Sequence, residues 1–179
     1  MQQASSLNRL AFSATVHCLT GCAIGEVAGM VIGTALGWPD GATVAISVAL
    51  AFVFGYSLTS LPLLRAGLTL AAIAPIAFAS DTLSIAVMEV VDNVIVLAVP
   101  GALDAGLGDV LFWGSLAFAL AVAGAAAFPV NRWLIARGRG HAAVHRTGIH
   151  GGPRPALVGG LAVAGFVFGA VVLVAELLG

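Results

Sequence analysis

Long apolar segments separated by short breaks make up most of this chain. The breaks fall at residues 37–41, 61–65, 100–109 and 129–155, and each contains proline and charged residues. Every segment between them is long enough for a transmembrane helix, which needs about 20 residues. The pattern therefore predicts an all-α integral membrane helical bundle with five transmembrane spans, at about 10–36, 42–60, 66–99, 110–133 and 156–178.

The third segment is ambiguous because of its length. A helix over 66–99 would be about 50 Å long, against a bilayer core of about 30 Å. It could form two short spans divided near residues 80–81, or one long span that Pro75 kinks. Tilt would accommodate the extra length of a single span.

The arginines favour the single long span. With five spans, Arg9, Arg65 and the arginine-rich loop 134–155 lie on the same side of the membrane. The loops on the other side carry only aspartates as charged residues. The positive-inside rule then predicts a cytoplasmic N-terminus and a C-terminus outside.

Composition supports a membrane location and restricts the classes of binding partner that we expect. Hydrophobic residues make up 60% of the 179 residues and charged residues 8%, whereas soluble domains carry about 25% charged residues. This length has room for a single domain, 1–179. All seven basic residues are arginines, and they form no dense patch with aromatic residues. We therefore expect the lipid bilayer as a partner, and no nucleic acid.

Two stripes of distinctive residues run along the first span. Glycines at every fourth position form one stripe, in line with His17: Gly21, Gly25, Gly29, Gly33 and Gly37. The other stripe lies about 100° away around the helix axis and consists of Cys18, Cys22, Glu26 and Met30. Such glycines let a second helix approach closely. The close approach would serve packing alone, or it would let ligands on both helices share an ion.

Acidic residues also interrupt the third span. Asp81, Met88 and Asp92 share one helix face because they are spaced by seven and four residues. Glu89 flanks that face, and Asn93 lies further round. The structural alternative to a functional site is a set of interhelical hydrogen bonds, with some of the acids protonated.

The carboxylates within the spans lack a permanent positive partner. Glu26, Asp81, Glu89 and Asp92 all lie in spans, and no arginine lies in a span away from its ends. His17 is then the only candidate base. A charged side chain at the bilayer centre costs about 2.5–3.5 kcal/mol on insertion scales, and a buried charge must be paired, coordinated or neutralised. We therefore expect bound cations, protons or both.

The mixture of ligand types favours a transition metal. Thiols and thioethers suit Cu(I), carboxylates suit harder ions, and imidazole suits several transition metals. Copper is therefore the first prediction and zinc the second. The predicted metal ligands, between the first and third spans, are His17, Cys18, Cys22, Glu26, Met30, Asp81, Met88, Glu89, Asp92 and Asn93.

Other candidate residues give weaker evidence for a function. His141, His145 and His150 could pass metal to or from the pore, but we expect a solvated loop without a site. Asp109 is expected to cap the fourth helix. Residues 19–22 also match a bacterial lipoprotein signal, which would leave Cys22 lipidated. The apolar run continues well past that cysteine, which argues against cleavage there.

Several of these motifs together resemble a known family. They are His17-Cys18, Cys22, Glu26 and Met30; Met88-Glu89 and Asp92-Asn93; Phe112-Trp113; and Asn131-Arg132 with Gly140-His141. The pattern, over about 10–142, is similar to a bacterial family of small polytopic membrane proteins described only as a domain of unknown function. The resemblance implies the bacterial inner membrane and a loose association with copper proteins. It supplies no catalytic residues.

Three functions are open at this point. The first is a permease or membrane chaperone for a metal ion, with ligands exchanged between two helices. The second is a non-catalytic subunit of a larger, copper-dependent membrane enzyme complex. A homo-oligomer is also open, and finding one would disfavour this second function. The third is a membrane thiol oxidoreductase using Cys18 and Cys22, which is disfavoured because adjacent helical turns constrain a disulfide. The chain has no nucleophile elbow, zinc-protease motif or phosphate loop, so we predict that it is not an enzyme.

Overall fold

The computed structural model describes residues 2–145 and 147–148, together with positions 167, 170, 171 and 174. Throughout these residues the secondary structure is helical, without strands. The helices are α1 (Gln2–Leu36), α2 (Asp40–Arg65), α3 (Leu70–Ala98), α4 (Val110–Ala136) and the short α5 (Ala142–His145). The predicted fifth span, 156–178, lies outside the described residues except at those four positions, so it stays a prediction.

Four of the helices are long and apolar enough to cross a membrane. They are Ser6–Leu36 within α1, and the whole of α2, α3 and α4. The ambiguous third segment is one continuous helix of 29 residues, so the prediction of one long helix there, and not two short ones, is confirmed. The chain is therefore a multi-pass helical membrane protein.

Glycines end three of the long helices. Gly37, Gly67 and Gly138 have φ angles of 63°, 88° and 68°, a left-handed conformation that other residues adopt only at a cost. After each glycine a backbone N–H returns to the last turn of its helix, as Trp38 N does to Gly33 O at 2.9 Å. This pattern is the Schellman helix stop, and it sets the tight turns that return the chain across the bundle.

Prolines do not end α2 or α4, and one predicted boundary was wrong for this reason. The second span was expected to end near residue 60, but α2 continues through Pro62 to Arg65. The predicted fourth span, 110–133, already runs past Pro129, and α4 continues through that proline to Ala136. In transmembrane helices, neighbouring helices and local adjustments satisfy the backbone groups that a proline leaves free.

The glycine stripe of α1 packs against α2. A Cβ atom built on Gly21 would lie 2.6 Å from Gly55 Cα, and one on Gly25 would lie 2.7 Å from the carbonyl carbon of Leu50. These distances leave no room for a side chain, so the two backbones are in direct contact. The predicted close approach is confirmed as helix packing. The helix that approaches is α2, not the acidic α3.

The four long helices form an up-and-down bundle in which chain neighbours are antiparallel. Interhelical contacts show this register: Thr59 of α2 bonds to Asp81 of α3, and Asn131 of α4 bonds to Ser84 of α3. α1 and α3 lie diagonally and run parallel, so that the α1 stripe of Cys18 and Cys22 faces α3. Antiparallel neighbours place the α1–α2 and α3–α4 connections together at one end of the bundle.

Candidate functional site

Three carboxylates are buried against one another in the middle of the bundle. Glu26 on α1 is 2% exposed, and Glu89 and Asp92 on α3 are 4% and 1% exposed. Glu26 lies beside Glu89 and Asn93, and Asp92 lies within electrostatic range of Glu26. We call Glu26, Glu89 and Asp92 the carboxylate cluster.

Most oxygens of the carboxylate cluster have no hydrogen-bond partner among the described residues. These atoms are Glu26 Oε1, both Glu89 oxygens and both Asp92 oxygens. Buried polar atoms are nearly always paired, and an ionised carboxylate buried alone is strongly destabilised. The arrangement therefore requires neutralisation by a proton or by a cation held between the helices.

Sulfur atoms lie next to the carboxylate cluster. Cys22 Sγ on α1 is 4.0 Å from Met88 Sδ on α3, and Cys22 also neighbours Glu89. One helical turn away, Cys18 Sγ is 3.8 Å from Asp81 Oδ1. Both thiols are free and buried. Each contacts a different partner on α3, which gives the predicted thiol oxidoreductase no support.

A cavity of about 70 Å³ reaches the carboxylate cluster from one end of the bundle. Its mouth is formed by the α1–α2 and α3–α4 connections, where Trp38, Asp40 and Leu107 line it, and its floor includes Glu26 and Asn93. Met30 lies on its wall. The cavity has room for a water molecule or a small cation, and Glu26, although only 2% exposed, is one of its lining residues.

Asp81, unlike the carboxylate cluster, is hydrogen-bonded at both oxygens. Thr59 Oγ1 donates to Asp81 Oδ2 at 2.6 Å, and His141 Nδ1 lies 3.1 Å from Asp81 Oδ1. His17 Nε2 lies 2.8 Å from Thr59 Oγ1. Because the single hydroxyl hydrogen of Thr59 goes to Asp81, His17 Nε2–H must donate to Thr59. We call His17, Thr59, Asp81 and His141 the imidazole cluster.

An asparagine on α4 links that helix to α1 and α3. Asn131 Nδ2 on α4 donates to Thr15 Oγ1 at 3.0 Å and to Ser84 Oγ at 2.9 Å. Asn131 is 1% exposed. Such bonds hold transmembrane helices in register, so Asn131 fixes α4 against the helices that carry the carboxylates.

A family profile matches residues 7–140 of the chain, which include α1 from residue 7 onward, the whole of α2, α3 and α4, and all residues of the carboxylate cluster. The chain belongs to DUF4396, a domain of unknown function. The predicted membership of such a family is therefore confirmed. Comparison with curated proteins and with solved structures finds no match. The association with copper proteins stays a prediction.

The predicted ligands of this DUF4396 protein separate into three groups. His17, Cys18 and Asp81 lie at the imidazole cluster, and Met30 and Asn93 lie at the cavity. Cys22, Met88 and the carboxylate cluster lie between those two groups. Among the described residues, no three His, Cys, Asp or Glu side chains already converge as a metal-binding group. The candidate ligands therefore follow one another along α1 and α3, in three groups of different chemical type.

Two sequence predictions for this DUF4396 protein were wrong. His141 was expected in a solvated loop, but it is 8% exposed and gives Asp81 a basic partner. Asp109 does precede α4 at the N-cap position, but its carboxylate accepts a bond from Gly106 N at 2.6 Å and does not cap the helix. The glycines at 138 and 140 were the available signal for a turn that returns His141 to the bundle. His150 lies outside the described residues.

Proposed function

We propose that this chain is a permease for cations, with a transition metal as cargo, copper first and zinc second. The observation that carries the proposal is the carboxylate cluster, whose buried oxygens lack partners among the described residues. An ionised acid within a bilayer costs about 2.5–3.5 kcal/mol, and a bound cation offsets that cost. The proposal places the chain in a bacterial inner membrane, with five spans and a cytoplasmic N-terminus.

The order of the candidate ligands along the bundle supports transport of a cation as well as its binding. From the cavity, a cation would meet Glu26 with Glu89 and Asp92, then Cys22 with Met88, then Cys18 with Asp81. The α1 residues recur every fourth position, about 6 Å apart along the axis. Carboxylates suit harder ions and sulfur suits Cu(I), so a transition metal could exchange ligands stepwise between α1 and α3.

The structure removes one argument for the alternative that the chain is an accessory subunit of a larger complex. The glycine stripe of α1, which a partner subunit could have covered, is occupied by α2 of the same chain. The described residues therefore give no specific observation in favour of a larger complex.

The test is the metal content of the purified protein after growth with added copper and zinc. We expect a transition metal to co-purify with the wild type. The Glu26→Gln/Asp92→Asn variant should retain it at least about tenfold less, since even changes beside a metal ligand weaken affinity by about 10–100-fold. Asp104→Asn, an exposed carboxylate on the α3–α4 connection, is the matched control and should leave the content unchanged.

Uptake into proteoliposomes distinguishes a permease from a metal store. Purified protein should move Cu(I), supplied with a reductant, or Zn²⁺ down a gradient, and the double variant should not. A wild type that holds no metal, or a double variant with the wild-type content and uptake, contradicts the proposed site.

A further inference from the structure

The segment after α4 folds back over one end of the bundle. Gly138 and Gly140 both have positive φ angles, 68° and 59°. A Cβ on Gly140 would lie 2.9 Å from Leu134 Cβ, so the turn is tight enough to require glycine there. This turn brings His141 to Asp81, and the next residue, Ala142, packs with Ala11, Ala14 and Ile135.

His141 is placed where the line of ligands would leave the bundle. Its ring centroid lies 4.9 Å from that of His17, and its Nδ1 bonds the same Asp81 oxygen that lies 3.8 Å from Cys18 Sγ. Cys18 is fully buried beneath this contact. The imidazole cluster therefore separates Cys18 from this end of the bundle.

The two ends of the bundle differ in access. The cavity opens one end down to Glu26, whereas His141 closes the other end over Cys18. A permease must expose its site to each side in turn while closing the opposite side. The described arrangement corresponds to one such state, with the cavity side open.

We infer that His141 is the gate of the cation path at the end that carries Arg65 and Arg137. This inference rests on the proposed function, whose site it regulates. The contact between His141 and Asp81 holds the segment from Arg137 to His145 closed, and release of that contact opens the path to Cys18. His141 acts through Asp81 and the segment it anchors, so it is a gating residue and its own bonding to cargo is not required.

The test uses Cys18 as the reporter, because the chain has only two cysteines. In a Cys22→Ala background, a charged, membrane-impermeant methanethiosulfonate is applied to oriented proteoliposomes from either side. Cys18 should react slowly in this protein. Adding His141→Ala should raise the rate at least about tenfold from the arginine-bearing side only, since a hydrogen bond to a charged group is worth more than a tenfold shift in equilibrium.

His141→Asn is the matched control. Its amide nitrogen occupies the position of His141 Nδ1, the atom that bonds Asp81, so it retains the N–H donor and the labelling rate should stay near that of the closed protein. Equal labelling from both sides, or no change with His141→Ala, overturns the gate. Because labelling needs no cargo, a failed gate and a failed metal site give separate results.

Hydrogen exchange on the unsubstituted protein gives a second measurement that does not depend on the folding of any variant. A gate predicts faster amide exchange at residues 139–145 than in the last two turns of α4, because the segment must leave the bundle as a unit. Equal protection of the two regions contradicts the inference.

Discussion

At the scale of single residues, Thr59 shows how much one hydroxyl group can organise. It donates its hydrogen to Asp81 at 2.6 Å and accepts from His17 at 2.8 Å. Thr59 is 3% exposed, so water cannot easily replace either bond. The hydroxyl therefore fixes the protonated nitrogen of His17 and satisfies one oxygen of Asp81.

Thr59→Val tests this role because valine keeps the shape and removes the hydroxyl. It leaves His17 Nε2–H and Asp81 Oδ2 without their partner in a buried site, and an unsatisfied buried group costs about 1–3 kcal/mol. We expect a lower free energy of unfolding by that amount, measured by denaturation in detergent micelles. Thr59→Ser keeps the hydroxyl, so its free energy of unfolding should fall clearly less than that of Thr59→Val. Equal losses would show that packing and not the hydroxyl matters.

The sequence could predict the burial of a residue only where helix periodicity alone determines which side of the helix that residue occupies. Glu26, Asp81, Glu89 and Asp92 were expected on inward faces, and all four are buried. His141 and Thr59 could not be predicted in the same way. Their position depends on a turn returning to the bundle and on the pairing of α2 with α3, and neither is encoded by local spacing.

At the scale of elements, α1 uses two faces for two purposes. Its glycine face contacts the α2 backbone, and its Cys18–Cys22 face contacts α3. The sequence predicted both stripes, the close approach of a second helix and ligands shared between the first and third spans, but it could not assign a partner to the glycine stripe. A small-residue stripe fits any helix that presents a flat surface, so the choice of α2 follows from the short turn between them.

The glycine face makes a prediction about stability. A methyl group at Gly25 would overlap the backbone of Leu50 and Ala51, so Gly25→Ala must push α1 and α2 apart. Overpacking of this kind costs about 1–3 kcal/mol, and the unfolding temperature in detergent should fall accordingly. Gly41→Ala is the control, because that helical glycine has open space around its Cβ position. Its unfolding temperature should stay constant or rise slightly, since alanine favours a helix over glycine by about 0.5–1 kcal/mol.

At the scale of the whole molecule, charge and access divide the bundle into two unlike ends. Arg9, Arg65 and Arg137 lie toward the end that His141 closes, and Asp40 and Asp104 lie toward the end where the cavity opens. The helix count of the described residues and this division by charge were both predictable from hydropathy and arginine positions. The cavity was not, because it depends on how the α1–α2 and α3–α4 connections meet.

The orientation of these two ends in the membrane is the last prediction. The positive-inside rule places the arginine-bearing end in the cytoplasm, so the cavity should open to the outside and the His141 gate to the inside. Green fluorescent protein, which fluoresces in the cytoplasm, should be active when fused after Leu68. Alkaline phosphatase, which is active outside, should work after Ala105 and after Leu178 if 156–178 crosses as a fifth span. Each position takes both reporters as mutual controls. A reversed pattern at 68 and 105 would mean that the cavity faces the cytoplasm. Cations that bind to its carboxylates would then enter the protein from the cytoplasm.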